Sequence, residues 1–260
     1  MKKKITLLSV LLIAMTLVAC GGGNKKEANA NAENATKETT EAKAEDINVG
    51  FVTDEGGVND QSFNQGVWEG LQKAKDELGI KADYIESKDT KDYTPNLETF
   101  ADQEKNLIVG AGFKMGGAIS EAAQMYPETN YAIVDVDVTV DKDGNKIEAP
   151  TNLLGIMFRA QEPSFLVGYI AGMTTETNKV GFVGGQEGNI IWGFEYGYKA
   201  GVDYAAKEKG TDIEVLSQYV GDFSDAQKGK SITATMYQNG ADVVFHAAGG
   251  AGEGVIEAAK

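Results

Sequence analysis

The sequence predicts a two-lobed α/β protein in which each lobe is a parallel sheet flanked by helices and the second lobe is incomplete. Three observations carry this. From Ile47 onward, short β-rich apolar runs alternate with helical stretches, the pattern of a parallel sheet covered on both faces. Val49-Gly50-Phe51-Val52 returns as Val180-Gly181-Phe182-Val183, and the same shift of 131 residues maps Phe63 to Phe194, Gly66 to Gly197, Gly70 to Gly201 and Gly79 to Gly210. A second shift, of 136, maps Gly116 to Gly252 and Glu121-Ala122-Ala123 to Glu257-Ala258-Ala259.

The chain opens with Lys2, Lys3 and Lys4 ahead of the apolar run Ile5 to Ala19. That run is short for a bilayer span and has the shape of a secretory signal, so residues 1–19 are read as a signal peptide. It ends in Leu17-Val18-Ala19-Cys20, which resembles a bacterial lipobox. Cys20, the one cysteine of the chain, is therefore expected to carry lipid, including an acyl chain such as palmitate, and no disulfide within the chain is possible. Acyl chains contribute about 0.8 kcal/mol per buried methylene, enough in combination for an anchor without a transmembrane helix. Residues 20–46 are rich in Gly, Asn, Ala, Glu, Lys and Thr and hold no large apolar side chain, which predicts a flexible tether.

The formal net charge is −15, and cleavage before Cys20 would remove three more lysines. A surface this acidic repels polyanions. With Arg159 the only arginine and no basic stripe, nucleic-acid binding lacks its electrostatic footprint.

The first lobe, 47–150, is expected to contain strands at Ile47 to Val52, Ala82 to Ile85, Leu107 to Gly110 and Tyr131 to Val138. Helices are expected near Ser62 to Leu78, Thr94 to Glu104 and Gly116 to Met125. Residues 151–178 read as a crossover, with an apolar run at Leu153 to Phe158 and a helical stretch around Pro163 to Met173. The second lobe, 179–260, repeats the pattern but reaches Lys260, the counterpart of Gln124, before any partner for Tyr131 to Val138. The chain is thus expected to be truncated, with its last helix, from about Gly252, poorly supported.

Open α/β sheets bind ligands at the carboxyl ends of their strands. The turn Asp54 to Gly66, DEGGVNDQSFNQG, is crowded with groups for a small polar molecule: Asp54, Asn59, Asp60 and Asn64 offer carboxylates and amides, and Phe63 a flat apolar face. Asp60 or Ser62 is also a good helix cap. The 131-residue shift places Phe194, with Trp192 nearby, on the opposing wall, so a planar ligand could be clamped between two rings. Carboxylates in such a cleft suit a ribose and suit a phosphate badly.

Catalytic signatures fail. Gly110-Ala111-Gly112 meets Met115 where the dinucleotide fingerprint needs glycine, and Gly229-Lys230-Ser231 has Ser224 where a P-loop needs glycine. Asp141 to Gly144 reads better as a surface turn than as a calcium loop. With His246 the sole histidine, a multi-histidine metal site and a histidine-based triad are excluded, and neither cofactor nor metal is expected. His246 either lines the cleft or caps its strand.

The lipobox at Cys20, the turn DEGGVNDQSFNQG, the strand YAIVDVDV, MFRAQEPSFLVGYIAGM, FEYGYKAGV and ADVVFHAAGGAGEGVIEAAK, in that order, resemble the basic membrane protein family, substrate-binding lipoproteins of ABC transporters. The resemblance covers everything from Ile47 onward. It implies a periplasmic-binding-protein-like fold of type I, closing by hinge motion on a purine nucleoside, with delivery to an ABC permease and no enzymatic activity. It further implies polar contacts and a base-stacking aromatic from Asp54 to Phe63, and a ribose aspartate from the Asp135/Asp137 strand, with Asp137 favoured. A second aromatic is expected from Phe194, with Trp192 and Phe223 as competitors, and Gly249 and Gly250 are expected beside the ligand. Family members continue into a strand with another ribose aspartate and a lysine, which this sequence does not contain. The protein is expected to be a lipid-anchored monomer facing away from the cytoplasm. The alternatives are a sugar or signalling ligand on the same fold, or a surface lipoprotein that binds nothing.

Overall fold

A computed structural model describes residues 46–141 and 143–260. The expected signal peptide, nearly all of the expected tether and Cys20 lie outside the described residues. Among the described residues no helix is long and apolar enough to cross a membrane.

The first sheet is built from β1 (Asn48–Val52), β2 (Lys81–Ile85), β3 (Leu107–Ala111), β4 (Asn130–Val134) and β5 (Leu153–Ile156), all parallel, in the order β2-β1-β3-β4-β5. Helix α1 (Phe63–Leu78) covers one face, over a core that includes Phe51 and Val109. Helices α2 (Tyr93–Asp102) and α3 (Gly116–Met125) cover the other, around Leu97, Ile108 and Ile119. Continuous apolar strands are what a sheet buried on both faces requires. The second sheet has three parallel strands, β6 (Lys179–Gly184), β7 (Glu214–Tyr219) and β8 (Val243–Ala247), in the order β7-β6-β8. It is flanked by α5 (Asn189–Lys209) on one side and by α6 (Ala226–Gln238) and α7 (Gly252–Ala258) on the other.

Residues 151–178 are shared between these bodies. Strand β5 completes the first sheet, whereas α4 (Gln161–Thr174) packs along α5.

Both shifts hold in three dimensions. Phe51 and Phe182 are each fully buried at the same position of β1 and β6, and burial of such a ring contributes about 3 kcal/mol. Helices α1 and α5 end at equivalent residues, each on a left-handed glycine, Gly79 and Gly210. The shift of 136 carries β3 onto β8, and the 3₁₀ turn Phe113–Met115 onto Gly249–Ala251.

The last helix departs from expectation, because it is well seated. Gly254 lies against the Ala226 carbonyl of α6, Val255 is buried, and Glu257 pairs with Lys230 at 3.4 Å. Two small residues let the helices approach closely, and this contact needs no further strand beside β8.

The shared glycines have different causes in the two lobes. Cβ atoms on Gly197 and Gly201 would run into the Gln161 and Phe165 carbonyls of α4, whereas Gly66 and Gly70 have no heavy atom within 4 Å of an added Cβ. The second lobe thus needs its glycines for helix contact, and the described structure leaves the first lobe's open. Gly201→Ala should cost roughly 1–3 kcal/mol through overpacking. Gly70→Ala should stabilise by about 0.5–1 kcal/mol through helix propensity. Urea denaturation of the two variants checks these opposite signs.

Candidate functional site

The connection from β1 to α1 forms one wall and is fixed by a single buried amide. Asn64, 1% exposed, donates from Nδ2 to Asp54 Oδ1 at 2.6 Å and to Asp60 Oδ2 at 3.0 Å, while its own Oδ1 accepts from the Asp54 backbone at 3.1 Å. Asp60 caps α1 from outside the helix. Its Oδ1 accepts from the Ser62 and Gln65 N–H groups and its Oδ2 from Asn64 N–H. These bonds satisfy first-turn donors that would otherwise be orphaned, while Ser62 makes no side-chain cap. Glu86, just past β2, ties the same turn down by accepting from Val58 N–H at 3.0 Å.

Asp54 and Asp60 face a cavity of about 350 Å³ at the carboxyl ends of the strands, between the two sheets. That volume falls within the range of small-molecule sites. Its walls are largely aromatic: Phe63 and Phe113 from the first lobe, and Phe194, Phe223 and Phe245 from the second. Gly249 and Gly250 close one side, and His246 lies on the lining. The expected residues Asp54, Asp60, Phe63, Phe194, Gly249 and Gly250 therefore meet around one cavity, with Asn64 behind them as their support.

Asn59, Trp192 and Asp137 are not part of the lining. Asn59 is exposed on the rim of its turn. Trp192 sits two residues before Phe194 on α5, about 200° round the helix, so when Ile190, Ile191 and Phe194 face the cavity Trp192 points elsewhere. The shorter link between β6 and α5 starts that helix at Asn189, which puts Phe194 in its second turn, whereas Phe63 is the first residue of α1.

Asp137 gives way to Asp135. Strand β4 ends at Val134, earlier than expected, and Asp135 turns the chain with φ 63°, a left-handed conformation that costs a non-glycine residue about 1–2 kcal/mol. Asp137 lies exposed beyond that turn and its Oδ1 accepts from Thr139 N–H and Oγ1–H, a local turn closure. Asp135 lines the cavity, and its carboxyl makes no hydrogen bond among the described residues.

The electrostatics follow from burial. Desolvation pushes Asp135 up to about 6. Asp54 is also raised, first by desolvation, against the opposing bonds from Gly56 N–H and Asn64, with the Glu55 and Asp60 charges adding to the rise. Burial lowers His246, which favours the neutral ring, and its Nδ1 is buried without a partner among the described residues. The one cation on the lining, Lys114, is paired with Glu55 at 3.3 Å. Such a wall offers acceptors to hydroxyl and N–H donors and disfavours anions.

Sequence reasoning left His246 either lining the cleft or capping its strand, and did not single out Lys114 or Phe113. Their only signal was position, since the 136-residue shift pairs them with Gly250 and Gly249.

Two parallel-sheet lobes with an aromatic, acceptor-rich cavity at their strand ends define a ligand-binding protein of the bilobal solute-binding class. The chain belongs to the Bmp family, described as ABC transporter substrate-binding protein PnrA-like, whose model matches residues 47–260. That family binds substrates for ABC systems and has no catalytic role. The chain is 41% identical over 268 residues to a CD4+ T-cell-stimulating antigen of Listeria innocua, and 39% identical over 264 residues to the ABC transporter nucleoside-binding protein BmpA of Lactococcus lactis. Each match covers 100% of this chain and 69% of the relative. An ABC transporter solute-binding protein from Aeropyrum pernix superposes with TM-score 0.73 at 32% identity, covering 82% of this chain and 58% of that one. The chain thus spans about three-fifths to two-thirds of the length of the proteins it matches.

The Asp135 shift has a defined sign. Between the ordinary carboxylate range and about pH 6 the folded chain keeps a proton that the unfolded chain has released, so this stabilisation is present at low pH and lost as pH rises through about 6. Asp135→Asn retains a side chain that tolerates the left-handed turn. Relative to wild type, it should gain on the order of 1 kcal/mol more stability at pH 7.5 than at pH 4.5, after discounting for solvent screening. Urea titrations at the two pH values measure the difference.

Proposed function

We propose that the protein captures purine nucleosides in the cavity between its lobes and delivers them to an ABC permease, held at the outer face of the membrane by lipid on Cys20 and acting as a monomer. The observation that carries this reading is the pairing of an aromatic-walled cavity with the unbonded carboxyl of Asp135. A purine is flat and stacks on aromatic rings, each stacked face contributing roughly 1–3 kcal/mol. A ribose presents vicinal hydroxyls, and one ionised carboxylate accepts from both. The printed name of the Lactococcus lactis relative, a nucleoside-binding protein, supports the same ligand class.

In this reading Phe63 and Phe194 flank the base, Asp135 receives the ribose, and Asp54 accepts a further donor through Oδ2. Asp60 spends both oxygens on the protein's own N–H groups and acts by holding the wall. Closure of the lobes removes water and strengthens these bonds.

Calorimetry with adenosine, guanosine, inosine and uridine tests the proposal. Purine nucleosides should bind more tightly than uridine, and Phe63→Ala should weaken inosine binding about tenfold or more. No heat with any nucleoside would sink the reading, and unchanged inosine affinity in Phe63→Ala would favour a sugar or signalling ligand instead.

A further inference from the structure

At the cavity mouth the repeat breaks its own symmetry. The 3₁₀ turn after β3 carries Phe113 and Lys114, whereas the equivalent turn after β8 carries Gly249 and Gly250. The first lobe therefore projects two large side chains towards a place where the second lobe has bare backbone. Phe223 of the second lobe fills that place. Its ring lies over Gly185, and its carbonyl accepts from Ala251 N–H at 2.9 Å, so the ring forms a fixed plate belonging to that lobe.

Two first-lobe groups bear on this plate. The Phe113 ring meets it edge to face at 6.0 Å between centroids, and Lys114 Nζ lies 5.8 Å from its centroid. Lys114 is aimed from behind by Glu55, 3.3 Å away, and both side chains are about four-fifths buried. Asp222, beside the plate, feels the same ammonium. Burial pushes its carboxyl up, but bonds from Ser224 and Asp225, together with the Lys114 charge, hold it below the ordinary range.

We propose that Lys114 is the latch between the lobes. Its ammonium, oriented by Glu55 on one side of the cleft, engages the Phe223 ring on the other, and so sets how long the closed form lasts. Lys114 acts on ligand through closure and is a positioning residue. A cation held over a ring, with much of its water removed, is favoured only while the lobes are together. Opening must rehydrate it. The effect therefore falls on escape of ligand from the closed form rather than on encounter with the open one.

The test uses pulsed electron–electron distance measurement on a Cys20→Ser chain spin-labelled at Lys73→Cys in α1 and Lys207→Cys in α5, both exposed positions. In ligand-free protein, Lys114→Met should lengthen or broaden the interlobe distance, with Lys114→Gln as a second neutral variant and Lys114→Arg restoring the closed distribution. Stopped-flow measurement with inosine, which rests on the proposed nucleoside reading, should show dissociation faster by about tenfold, equivalent to ~1.4 kcal/mol, with association unchanged. Unaltered distances and an unaltered dissociation rate in both neutral variants would overturn the latch. If inosine does not bind wild type, the nucleoside reading fails, and the distance measurement still decides the latch.

Discussion

Asp54 and Asp60 share one amide nitrogen, that of Asn64, and the site rests on this arrangement. Two carboxylates brought together repel each other, and only bonds to both, supplied from a buried side chain and the first turn of α1, make the pair tolerable. The amide therefore does three things at once. It fixes the path from β1 into α1, it caps the helix through Asp60, and it presents Asp54 at the cavity with one oxygen engaged. Because α1 begins at Phe63, the same bonds set the position of the ring that opens the aromatic wall.

The opposing wall is built by different means. Its link from β6 is short, α5 begins earlier, and Phe194 reaches the cavity from the second helical turn. The long α5 is braced by α4 through glycines that allow backbone contact. Two rings at equivalent sequence positions thus arrive at one cavity by unequal local structures, and each brings different neighbours to the lining. A carboxylate-rich turn accompanies Phe63, and apolar Ile190 and Ile191 accompany Phe194.

Much of the fold was legible because the two shifts, 131 and 136, are written in strand residues and glycines whose causes are local. The shifts give the two like lobes, the alternation of strand and helix runs gives the parallel sheets, and the polar composition after β1 marks the turn that carries Asp54, Asp60 and Phe63. What was hidden depends on contacts distant in sequence or on helix phase. The run Val134 to Val138 alternates as a strand would, and only the left-handed turn at Asp135 decides which aspartate meets the cavity. The 131-residue shift favours Phe194 over Trp192, and the start of α5, which sets the helix phase, puts Phe194 on the cavity lining and leaves Trp192 off it. The pairing of Lys114 with Glu55, 59 residues earlier, leaves no periodic trace, and neither does the seating of α7 on α6.

The nucleoside reading depends most on Asp135, whose half-buried carboxyl has no protein partner among the described residues and so stands available to a ligand's hydroxyls. Comparison of inosine with 2′,3′-dideoxyinosine by calorimetry at pH 7.5 isolates that bond, since both carry the same base. Loss of hydrogen bonds to a charged acceptor is worth roughly 1.5–3 kcal/mol, so the dideoxy compound should bind at least about tenfold more weakly. Equal affinities would contradict the assignment of Asp135 to the ribose, and with it the account of the cavity as a nucleoside site.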